Sequence, residues 1–166
     1  MPNYCYNKLI VTGNKKTIDK FITYAAGKED ILDEEAFIPY PKRFKALDKN
    51  ANVWQKNADS IKDPVKKSEW MGKHPQPRDG FNQGGYEWCC KHWGTKWGFG
   101  SNKKRHRLSP NCVRYCFESA WAPPLPLLLK ASKTFPVLTF AMRATDEGNM
   151  FDNLFTFRRG KCSSLV

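Results

Sequence analysis

The chain has 166 residues, enough for one domain with a large insertion, and its 40% hydrophobic and 14% aromatic content excludes wholesale disorder. No window approaches the ~20 apolar residues of a membrane span, and the opening MPNYCYNKLIVTG has neither a basic start nor a long apolar run, so a soluble cytoplasmic protein is expected, with its six cysteines reduced. The net charge of +12 is unevenly placed: residues 1–40 hold 5 Lys/Arg against 6 Asp/Glu, residues 41–110 hold 16 against 6, and residues 111–166 hold 7 against 4. Such a field attracts polyanions, either nucleic acid or an acidic protein that imitates it.

Tyr4 to Thr12 reads as a strand, rich in β-branched and aromatic residues and ended by Gly13. Asn14 is an N-cap candidate, and Ile18, Phe21, Ile22 and Ala25 make one apolar helical stripe. Ala36, Phe37 and Ile38 read as a short second strand stopped by Pro39 and Pro41, which completes a βαβ start. From Pro41 to Pro110 apolar periodicity is weak, and the clearest element is a short helix over about Gly85–Trp93. SNKKRHRLSP (Ser101–Pro110) reads as a loop. Regular patterning returns at Asn111. Val113, Tyr115 and Phe117 alternate with polar positions as in a half-buried strand. In WAPPLPLLLKASKTF the prolines suit a first helical turn, and Leu125, Leu128, Leu129 and Ser132 share a face. Val137–Arg143 and Met150–Arg158 are the last two strands, with Phe151, Phe155 and Phe157 on one face. The order βαβ, insertion, βαββ describes an α+β ferredoxin-like two-layer sandwich, mainly antiparallel. It forms a single domain over 1–166, interrupted by a basic, Trp-rich insertion at about 41–110.

Four short segments occur in order: MPNYCYNKL, HWGTKW (His92–Trp97), SAWAPPLP (Ser119–Pro126) and DEGNMF (Asp146–Phe151). Together they resemble the YubB-like proteins of bacteriophages and conjugative plasmids, a family whose function is unsettled. His92 and Gly98 depart from the usual pattern. The resemblance implies a ferredoxin-like domain and a mobile-element setting, in the cytoplasm of an infected or plasmid-bearing bacterial host. It supplies no catalytic residue.

EWCCKHWGTKWGFG (Glu87–Gly100) has two readings. Tyr86, Cys89, Cys90, Trp93 and Trp97 fall near helical spacing, which reads as a core face, while Lys91, His92, Lys96 and Trp88 read as an exposed basic, aromatic contact surface; both hold together if they occupy opposite faces of one helix. Cys89, Cys90 and His92 are too crowded for a structural zinc site. Cys112 and Cys116, four apart on a strand, lie roughly 13 Å apart, so no metal ligand is assigned. Without a C-x-x-C motif there is no redox assignment. Lys103, Lys104, Arg105, His106 and Arg107 form a basic run in the expected loop. Aromatics on the central strands offer a base-stacking face. Tyr4 with Tyr6, or Tyr115 with Phe117, must serve as core, and the glycine-containing signature of RNA-recognition domains is missing from CVRYCFES. No phosphate-binding glycine loop, G-x-S-x-G or H-E-x-x-H is present, so no catalytic residue and no cofactor are assigned.

The expected function is therefore binding without catalysis. The first expectation is an accessory protein docking on a host or phage protein or nucleoprotein, extending to antagonism of host defence. Its contacts are Lys91, Lys96, Lys103, Lys104, Arg105 and Arg107, with Trp88 or Trp97 as aromatic anchor. The alternative is direct, weakly specific binding of DNA or RNA by the same residues. The third is an enzyme of unknown activity.

Overall fold

The structure is a computed structural model, and it describes residues 3–27, 30–148 and 150–165. The chain divides into two units, one of residues 1–39 and 89–166 and one of residues 40–88.

The first unit is built on a six-stranded antiparallel sheet. Its strands are β1 (Tyr4–Thr12), β2 (Lys104–Ser109), β3 (Cys112–Ala120), β4 (Thr139–Asp146), β5 (Asp152–Arg158) and β6 (Lys161–Leu165). Their spatial order is β2-β3-β1-β4-β5-β6. The residues buried on one face explain why these segments became strands. Cys5, Leu9 and Val11 of β1, Val113, Tyr115 and Phe117 of β3, Phe140 and Met142 of β4, and Phe155 and Phe157 of β5 alternate with outward residues.

Helices α1 (Lys15–Ala25), α2 (Glu34–Phe37) and, by its packing on β4, β5 and β6, a helix over Leu125–Thr134 form the second layer. Asn14 caps α1, its side chain accepting from the Thr17 N–H at 2.9 Å. The stripe Ile18, Phe21 and Ala25 turns inward. Phe21 meets Tyr115, Phe135 and Phe140 edge-on, with ring centroids 5.3 to 6.0 Å apart, the preferred aromatic geometry. The helix over Leu125–Thr134 buries Leu127, Leu128, Ala131 and Ser132, a face one residue away from that expected from Leu125 and Leu129.

The expected strand Ala36–Ile38 is corrected to helix α2. Asp33 accepts from the Glu35 N–H at 2.9 Å, and this cap starts a helical turn that Pro39 and Pro41 end. Only Phe37 of the apolar trio is deeply buried, so a single turn suffices to place it.

The second unit is helical. It contains α3 (Lys42–Ser60), α4 (Pro64–Lys73), a 3-10 turn Phe81–Gln83 and the start of α5 (Gly85–His92), which crosses the unit boundary; the helix over Leu125–Thr134 is α6. Asp63 caps α4 through the Val65 and Lys66 N–H groups, with Pro64 at the first position. Trp54 donates to the His74 carbonyl at 2.7 Å, and His74 stacks on Trp70 at 4.5 Å. Asp48 accepts from the Gly80 and Phe81 N–H groups and ties the 80s turn to α3. Of the residues about 41–110 expected as an insertion, those up to 88 lie in this second compact unit, and 89–110 lie in the sheet unit.

Candidate functional site

The helices of the sheet unit take the face carrying Leu9, Tyr115 and Phe140, and the opposite face presents half-buried and exposed residues. Strand registers arrange that face in rows. Tyr6 lies between Glu118 on β3 and Thr145 on β4. Lys8 lies between Cys116 and Arg143, with Lys104 opposite Cys116 on the far side. Ile10 lies between Arg114 and Ala141, with His106 opposite Arg114. Directly paired residues have Cβ atoms roughly 5 Å apart, so each row is a continuous strip of side chains. Tyr6 is 45% exposed on this central strand, because no helix among the described residues of the sheet unit covers its face.

Three of the hollows on this face border β1. One of about 430 Å³ lies among Tyr6, Asn102, Lys104 and Glu118. One of about 320 Å³ is bounded by Lys8, Ile10, Arg143 and Leu154. A third, about 280 Å³, joins Tyr6, Lys8, Cys116 and Arg143. Arg143 donates from Nε to Asp152 at 2.8 Å and from Nη2 to the other carboxylate oxygen. That bidentate pair lowers the Asp152 pKa and raises that of Arg143. Lys8, Lys104 and Arg114 have no ion-pair partner among the described residues. The face is therefore cationic, shallow and aromatic at its centre.

The basic run is corrected from loop to strand. Lys104–Ser109 is the edge strand β2, and strand alternation divides its charges. Lys104 and His106 align with the outward residues Cys116 and Arg114, whereas Arg105 and Arg107 align with the inward residues Tyr115 and Val113. Arg107 is tied down: Nη1 reaches Asp19 of α1 at 2.8 Å, and its other nitrogens donate to the Ser109 and Pro110 carbonyls. Together with Lys15, it lowers the Asp19 pKa. Lys103 is not a free contact either. Its side chain is 8% exposed, pairs with Asp30 and donates to the Leu32 carbonyl at 2.9 Å. Of the expected cationic contacts, only Lys104 stands on the open face.

Lys91 is exposed at the end of α5. Trp88 is half-buried and packs edge-on against Tyr40 within the second unit. Cys89 and Trp93 are buried, so these members of the Trp–Cys stripe are core; Trp93 donates to the Ile38 carbonyl at 2.8 Å. Trp97 is half-buried, and Lys96 holds its ammonium 5.3 Å from the Trp97 ring and 4.4 Å from that of Trp121. Trp121 is 45% exposed, and its φ of 72° is strained for a bulky residue. The base-stacking alternatives separate cleanly. Tyr115 and Phe117 are core, and Tyr6 is on the open face.

The four segments singled out in the sequence converge at one end of the sheet. Lys96 N–H donates to the Ala120 carbonyl, Trp121 N–H to Asn3, and Glu147 N–H to Tyr4. Beneath them is a buried polar cluster: Asn7 donates to Ser119 Oγ at 2.8 Å and to the Cys5 carbonyl at 3.2 Å, while Ser119 donates to the Ala122 carbonyl. Burial pushes the Cys5 thiol up to about 11, with Ser119 opposing and Asp146 reinforcing the shift. Asp146 takes the Gly148 and Phe151 N–H groups and shapes the β4–β5 turn; Asn149 lies outside the described residues. These motif residues are thus largely architectural, and no group of three metal ligands assembles among the described residues. Sequence reading passed over Lys8, Arg143 and Trp121. The available signal was the outward alternation of YCYNKLIVT, which puts Lys8 two residues beyond Tyr6.

A crystal structure of protein api92 from Yersinia pseudotuberculosis, carrying the family designation DUF1281, is similar in fold, with a TM-score of 0.59. The alignment covers 100% of this chain and 99% of that one at 11% identity. No family model and no curated protein matches the chain. No helix among the described residues is long and apolar enough to cross a membrane.

Proposed function

We propose that the sheet unit is a binding module whose open face takes single-stranded nucleic acid. The observation that carries this is Tyr6, 45% exposed on the central strand of a face that also carries Lys8, Lys104, Arg114 and Arg143. Single strands are held by cations that follow the backbone and by aromatic rings on which bases stack, and a shallow open sheet offers both at once. A duplex hides its bases and cannot use the ring. The same proposal reads the core as ferredoxin-like: β1–α1–β2 straddles β3, and β3–α6–β4 straddles β1, two interleaved split βαβ units extended by β5 and β6. Membership of the YubB-like phage and plasmid group, and a cytoplasmic place of action, belong to this proposal on the strength of the four segments.

The test is anisotropy of short labelled RNA and DNA strands and of a duplex. Single strands are expected to bind more tightly than the duplex. Tyr6→Ala should weaken them by ~1–3 kcal/mol, the usual value of one stacked base, and Lys8→Glu should weaken them further. Equal affinity for duplex and single strand, or indifference to both substitutions, would overturn the reading.

A second reading, docking on a host or phage protein to antagonise defence, is favoured by the Lys96–Trp121 corner. There an exposed tryptophan is held in a strained backbone conformation under a cation. Trp121→Ala would then abolish partner capture and leave nucleic-acid affinity unchanged.

A further inference from the structure

We infer that the hollow among Tyr6, Asn102, Lys104 and Glu118 is a subsite selective for guanine within a bound single strand, an inference that rests on the proposed nucleic-acid face. Glu118 is the anomaly. It sits directly across from Tyr6 on the face whose other side chains include Lys8, Lys104 and Arg114. A carboxylate there repels phosphates, and Glu118 has no hydrogen bond or ion pair from its carboxylate among the described residues. The side chains of Asn102 and Lys104 are likewise unpaired among them. The hollow thus brings together a free acceptor pair, two free donors and one aromatic wall in about 430 Å³, ample for a nucleobase.

Which base fits follows from donor and acceptor geometry. A carboxylate offers two parallel acceptors and no donor. On its Watson–Crick edge, guanine presents N1–H and N2–H as adjacent donors, which such a pair takes bidentately, with O6 left for the ammonium of Lys104 or the amide of Asn102. Adenine and cytosine each set a ring-nitrogen acceptor beside their amino group, and that lone pair faces the carboxylate. Uracil and thymine supply one N–H flanked by two carbonyls. Gly100 keeps the way in clear: a Cβ there would lie 3.3 Å from a Glu118 carboxylate oxygen.

The experiment compares oligouridine strands carrying one central G, A, C or U, bound to the full protein and followed by anisotropy. The G strand is expected to bind roughly ten- to a hundredfold more tightly, the discrimination of one bidentate base contact. Glu118→Gln should remove that preference while tightening the U strand slightly, because a charge that repels phosphates is lost, and Tyr6→Ala should weaken all four strands. Equal binding of the four strands by the native protein overturns the subsite and leaves the single-strand reading intact. No binding of any strand overturns the reading and the subsite together. A guanine preference that survives in a folded Glu118→Gln protein, checked by its melting temperature, overturns the assignment to this hollow.

Discussion

Asn7 is an amide buried among Cys5, Leu9 and Val11 on the inner side of β1, and its donors go to Ser119 Oγ and the Cys5 carbonyl. Burying it is tolerable only because those acceptors are in place. Asn7→Ala leaves Ser119 and the carbonyl without their donor, so urea denaturation should show a loss of ~1–3 kcal/mol. Glu34 is a second costly residue. Burial raises its carboxyl pKa above the usual 4.5, against the opposing pull of backbone N–H groups and Lys103. For an acid whose folded pKa is raised, the contribution to stability is complete below the unfolded value and is lost as pH rises through the folded one. Glu34→Gln is therefore expected to raise the urea midpoint at pH 7, and the gain should vanish below about pH 4.5. Gly98 leaves room for that side chain, since a Cβ there would fall 1.7 Å from a Glu34 carboxylate oxygen.

Elements differ in how plainly they announce themselves. β1, α1 and β3 were legible because each pairs one apolar face with one polar face, in period 2 or in a 3.6-residue stripe. β2 was not, because all six of its residues are exposed and no apolar alternation marks it. It is held as an edge strand by β3, and its charge guards that edge against further pairing. α3 and α4 were missed for a related reason: α3 buries only Phe44, Trp54 and Ala58 in nineteen residues, and α4 has no deeply buried residue. Tyr6 was read as a possible stacking residue, but choosing it over Tyr115 needed the helices, which show the face that became core. β2 also carries a prediction. Lys104→Glu should weaken nucleic-acid binding with little change in melting temperature. Arg107→Glu should do the reverse, since it breaks the tie to Asp19. A calorimetric scan beside a binding titration separates the two.

At the scale of the molecule, the charge excess is greater in the sheet unit. Residues 1–39 and 89–166 hold 18 Lys/Arg against 10 Asp/Glu, whereas residues 40–88 hold 10 against 6. At the centre of the open face, Lys8, Lys104 and Arg114 are the cations without an ion-pair partner among the described residues. If each of these three meets one phosphate, the logarithm of affinity for a single strand should fall against the logarithm of salt concentration with a slope of about −2. Titrations at several salt concentrations measure it, and a slope near zero would remove the open face from consideration.

The alternation of Lys104, Arg105, His106 and Arg107 makes the address of each charge a matter of parity. Replacing one of these residues by another cation leaves the pattern standing. Deleting a single residue between Arg107 and Cys112, in the turn that sets the β2–β3 register, exchanges the two sets at a stroke, turning Arg105 and Arg107 outward and Lys104 inward. Over evolutionary time this stretch should therefore drift freely in which cation it uses and hardly at all in length.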